Sequence, residues 1–133
     1  MHSFVKFTAY SCFLFLYIVG CQNTAHHNDL SEGRIVHVVL IWLKEPGNES
    51  HMNRVIEATQ GLKKISEIQR LQVGKSIASE RAIVDDSFDI GLYQTFNSIE
   101  SLENYLTHPI HKETVKSVIA PLSEKILVYD FQE

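Results

Sequence analysis

Cysteine is scarce in this chain: there are 2, Cys12 and Cys21, among 133 residues. A disulfide-stapled scaffold needs a larger, even set of cysteines, so that class is excluded, and no paired-cysteine metal motif is present. Clustered cations are lacking too. Lysine and arginine number 12 against 16 aspartates and glutamates, for a formal charge of −4. Without a basic stripe to displace counterions from phosphates, no nucleic-acid partner is expected. The 6 glycines form no phosphate-cradling loop and no serine elbow, so no nucleotide, flavin or other cofactor is expected. The one long apolar run, residues 7–20 (FTAYSCFLFLYIVG), falls short of the about 20 apolar residues that span a bilayer core.

That run marks an export signal instead. Residues 1–6 carry a single cation, Lys6, ahead of the apolar stretch, which is the order of a signal peptide over residues 1–20. It ends in Ile18-Val19-Gly20-Cys21, a lipobox-like segment whose thiol is the nucleophile toward a lipid donor. Cys12 would leave with the signal, so Cys21 has no partner in the mature chain, and lipidation with a fatty-acyl (palmitate) anchor accounts for the odd cysteine. The expected location is the bacterial cell envelope. Gln22 instead of Asp after the cysteine points to the periplasmic face of the outer membrane. Residues 21–33 are polar and aperiodic and read as a flexible tether, with His26 and His27 solvated on it.

From Ile35 the pattern becomes IVHVVLIWL, rich in β-branched residues, and predicts a strand apolar on both faces. Proline and glycine at 46–47 stop it, and Asn48 caps a helix striped by Met52, Val55, Ile56, Thr59 and Leu62 that Gly61 weakens near its end at Ser66. Strands are predicted at 68–77 and 88–96, the latter with Phe88, Ile90 and Leu92 on one face. Asn97 with Glu100 resembles a capping box for a helix carrying Ile99, Leu102, Tyr105 and Leu106. His108-Pro109 breaks it, a further helix follows toward Pro121, and residues 125–131 (KILVYDF) form the last strand.

The expected class is therefore α+β, a ferredoxin-like β-α-β-β-α-α-β order with a four-stranded antiparallel sheet over residues 34–133. Helices cover one sheet face only. Val36, Val38, Leu40 and Trp42 make the other face apolar as well, which predicts a homodimer.

The segments IVHVVLIWL, LQVGKS, NYLTHPIHK and VIAPLSEKILVYDF resemble the stress-responsive dimeric A/B barrel (Dabb) family over nearly all of residues 34–133. The resemblance implies a dimeric α/β barrel, a stress-related role, and for a plant member, olivetolic acid cyclase, a ring-closing aldol reaction. Carried onto this chain, the cyclase's basic histidine falls on His111, its substrate-holding tyrosine on Tyr105 and a pocket histidine on His37. A further cyclase histidine corresponds here to Ile90, so the cyclase set is incomplete.

The residues can be read on their own chemistry. Two imidazoles and a phenol, at His37, His111 and Tyr105, could meet in one helix–sheet cleft, where imidazole titrates near neutrality and moves protons. The expected ligand is a small apolar or aromatic compound. Plain structural readings stand beside this: a tyrosine on an apolar stripe serves as core, and His108-Pro109 shapes a turn. His108, His111 and His37 imitate a three-histidine metal site, but Pro109 breaks the helix that would hold the pair, so no metal is expected. Three functions remain open: a ligand-binding lipoprotein, a cofactor-independent cyclase or lyase using His111 and Tyr105, and a dimeric interaction module without catalysis.

Overall fold

The structure is a computed structural model that describes residues 33–133. The expected signal peptide, Cys21 and nearly all of the tether lie outside the described residues. Strand β1 (Ile35–Leu43) is bounded where its apolar run begins and ends. Helix α1 (Glu49–Gln60) starts at Asn48, whose side chain accepts a hydrogen bond from the His51 N–H. A 3-10 turn, Gly61–Lys64, finishes it, so the regular helix stops short of Ser66, at the glycine that disfavours continuing it. Strands β2 (Arg70–Lys75) and β3 (Ile90–Phe96) follow. Helix α2 (Ile99–Thr107) leads into α3 (Pro109–Thr114), a π-helical turn (Val115–Ile119) and the short α4 (Ala120–Leu122). Strand β4 (Ser123–Gln132) closes the chain, longer at both ends than expected.

The four strands run antiparallel in the order β2-β3-β1-β4. This is the ferredoxin-like α+β fold. The inner sheet face carries Ile41 and Leu43 from β1 and Ile90 and Leu92 from β3, all buried against the helices with Val55 and Leu62. Each such side chain contributes about 1.5–3 kcal/mol relative to exposure.

The outer face alternates with the inner one, as the pleat requires. Val36 and Thr95 are buried there, while Val38, Leu40, Trp42, Tyr93 and Leu127 are half-buried. Tyr129 and Phe131 remain about half exposed, at 52% and 53%.

Two local expectations are corrected. The cap of α2 is Ser98, not Asn97: its extended backbone lets the hydroxyl accept from the Ser101 N–H at 3.2 Å, and the helix starts one residue later. Phe88 is not in β3 and does not share the face of Ile90. Its ring meets Trp42 edge-on, with centroids 6.2 Å apart, on the outer side. The cause lies at Asp89, whose carboxylate accepts from the N–H groups of Leu43 and Gly47, each at 2.8 Å. That clamp holds the β1–α1 turn, where Gly47 takes a positive φ of 71°, and interrupts the alternation just before β3.

Candidate functional site

The broken helix builds the site. Residue His108 adopts an extended ψ of 135°, because a residue before proline avoids the helical region. Its Nδ1 accepts from the Ile110 N–H at 3.1 Å, capping α3, and Pro109 occupies the first helical position, where no N–H is needed. His108 is thus held as a helix cap. The change of direction returns His111 over the end of α2. There its Nδ1 lies 3.1 Å from the Leu106 carbonyl oxygen and its ring centroid 4.5 Å from that of Tyr105. A carbonyl can only accept, so Nδ1 carries the proton and Nε2 of the neutral ring keeps its lone pair.

Tyr105 points inward from α2 and is 1% exposed, its ring 5.0 Å from Phe96. Burial pushes its phenol up to about 12, so it is a hydrogen-bond donor at neutral pH. The Gln94 amide lies against the phenol and opposes this rise, yet neither its nitrogen nor its oxygen meets full hydrogen-bond geometry with any partner.

His37 reaches the same space from the inner face of β1, with its ring 6.1 Å from that of Tyr105. Its Nδ1 sits 2.5 Å from Asp130 Oδ1 on the edge strand β4, directly across the register. A carboxylate accepts, so the pair fixes the His37 ring with Nδ1 as donor.

Together His37, Tyr105 and His111 border a cleft of about 210 Å³ between helices and sheet. Its remaining walls are mainly apolar, from Ile41 and Leu92 on the sheet and Leu106, Val115 and Ile119 on the helices. Val115 and Ile119 come from the π-helical turn, a distortion often found beside functional sites. The His111 imidazole is held below its ordinary range, mainly by burial and further by repulsion from His37, His108 and Lys112, against the pull of the Leu106 carbonyl. At neutral pH it is a free base beside a protonated phenol. Among the described residues no three His, Cys, Asp or Glu side chains gather as a metal site would.

The structure brings His37, Tyr105 and His111, the candidate site residues that lie within the described part of the chain, to one cleft. Asp130 and Gln94 were missed. Alternation along β3 carries a signal for Gln94, which shares the parity of Ile90 and Leu92, whereas the His37–Asp130 pairing depends on strand register.

Solved structures share this architecture. A dimeric protein with a ferredoxin-like fold from Bacteroides fragilis is 29% identical, with 77% of this chain and 98% of that one covered at a TM-score of 0.63. A Dabb family protein of Mesorhizobium loti is 22% identical over 77% of this chain and 98% of its own, at 0.64. The hydroxynitrile lyase of Passiflora edulis is 21% identical over 77% and 94%, at 0.66. No curated protein matches in sequence. The sequence profile of the stress responsive A/B barrel domain matches residues 35–133, and the chain therefore belongs to the Dabb family.

Proposed function

We propose that the protein is a membrane-anchored Dabb homodimer that binds a small apolar or aromatic compound in the cleft between helices and sheet. The observation that carries this reading is the cleft of about 210 Å³, apolar on most of its wall and bordered by His37, Tyr105 and His111. Ligand pockets combine such walls with a few placed polar groups, and at less than the usual 300 Å³ or so this one suits a ligand of single-ring size. An interaction module that needed only its dimer would have no use for the opening. The dimer is supported by the exposed aromatic residues Tyr129 and Phe131 on the sheet face away from the helices, and by the dimeric relative from Bacteroides fragilis. Anchoring is supported by the lipobox-like segment ending at Cys21.

The test is mass spectrometry of small molecules released on denaturing the purified protein. A compound retained by wild type and lost on filling the cleft with Val115→Trp is expected. Equal retention by both, or failure of wild type to hold any compound or to bind added single-ring aromatics, overturns the reading.

A second reading, a cyclase- or lyase-type enzyme with His111 as general base, is favoured by one feature. The Leu106 carbonyl occupies Nδ1 and leaves Nε2 free as a base beside the Tyr105 phenol. A base of this kind should exchange the α-protons of a bound ketone with D₂O, and His111→Ala should slow that exchange by about 10²-fold or more. Unchanged exchange in the variant excludes it.

A further inference from the structure

Gln94 is out of keeping with its surroundings. It stands on the inner face of β3, two residues beyond Leu92 and directly across from His37 on one side and Leu71 on the other. It is fully buried, at 0% exposure, and neither amide atom meets full hydrogen-bond geometry with any partner, although the amide lies against the Tyr105 phenol. Leucine would fill a comparable volume without desolvating an amide, so an unpartnered glutamine here is costly unless something else completes it. Its polar neighbours are Tyr105 and His37, and both border the cleft.

Building on the ligand-cleft reading above, we propose that Gln94 is a positioning residue for the polar end of the cleft. Its amide N–H donates to the Tyr105 phenol oxygen and leaves the phenol O–H to donate to a carbonyl oxygen of the ligand. The ligand class is then a small aromatic or apolar ketone or aldehyde. A hydrocarbon of equal shape would leave the phenol O–H without an acceptor. His37, committed through Nδ1 to Asp130, borders the same end of the cleft. Asparagine would withdraw the amide from the phenol by one methylene. Glutamate would accept the phenol O–H for itself. Among these side chains, glutamine alone combines the reach with a donor.

The experiment compares two probes of similar shape, acetophenone and α-methylstyrene, binding to the full chain by calorimetry or NMR titration. Wild type should prefer the ketone by about tenfold, the equivalent of one well-placed hydrogen bond. In Gln94→Leu the preference should collapse to within about twofold while the fold is kept, since the leucine fills a comparable volume and the lost hydrogen bond is offset by the amide no longer being desolvated. Gln94→Met, unbranched and close in length, serves if the leucine variant misfolds. Tyr105→Phe should lose the same preference, and adding Gln94→Leu to it should change nothing further, a coupling that a purely structural glutamine would not show. A ketone preference that survives Gln94→Leu and Gln94→Met overturns the proposal and assigns the amide to a trapped water. Equal binding of both probes by wild type also overturns it while leaving the cleft reading intact. If wild type binds neither probe, the cleft reading falls, and this inference with it.

Discussion

Asp130 holds His37 at 2.5 Å across two adjacent strands, although the carboxylate side chain is 46% exposed and the imidazole only 6%. A buried ring is thereby oriented by a group that water still reaches. The pair joins the edge strand to the cleft, so that β4, the last strand of the chain, sets the geometry of a residue on the first.

Asp130→Ala should lower stability by about 1 kcal/mol. Hydrogen bonds to charged groups are worth more when closed off, and exposure of the carboxylate brings this one toward the lower end. Urea denaturation checks it. A variant as stable as wild type would mean that the pair is not maintained in solution.

His111 predicts a pH dependence. Its folded value lies below the ordinary 6.5, so as pH falls the unfolded chain takes up this proton before the folded chain does. The contribution to stability is present in full above about pH 6.5 and declines as pH drops through the window between the unfolded and folded values. The effect is softened by solvent at this half-open site. His111→Gln should flatten that part of the stability–pH curve in denaturant titrations at successive pH values. Wild-type and variant curves that stay parallel would refute it.

Dimerisation predicts that residues 34–133 sediment at about twice the monomer mass at micromolar concentration. Tyr129→Glu, on an exposed part of the outer sheet face, should shift the chain toward monomer without unfolding it. A monomeric wild type would remove the dimer from the proposal.

Lipid attachment predicts that a fatty-acid analogue labels the wild type in cells and that Cys21→Ser loses the label. Equal labelling of both would place the lipid elsewhere.

Much of the fold was legible because its signals are local. The apolar run of β1 begins at Ile35 and ends at Leu43 where the strand does, and His108-Pro109 breaks the helix through the steric demands of one proline ring. Phe88 was misread because alternation assumes an uninterrupted strand, and the Asp89 clamp on Leu43 and Gly47 joins positions distant in sequence. The site was legible in part. His37, Tyr105 and His111 stand out by residue type and by family resemblance, but neither names their partners.

The sequence by itself determined the order of strands and helices, which rests on residue type and short-range spacing, and the family, which rests on the resemblance of its segments to the stress responsive A/B barrel domain. Only the tertiary structure decided that Asp130 faces His37, that Gln94 lies unpartnered against Tyr105, and that an opening is left between Ile41 and Val115. Strand register and helix docking are collective outcomes of the whole core. A shift of one residue in register would turn every side chain of β4 to the other face, so no local pattern can say which residues meet.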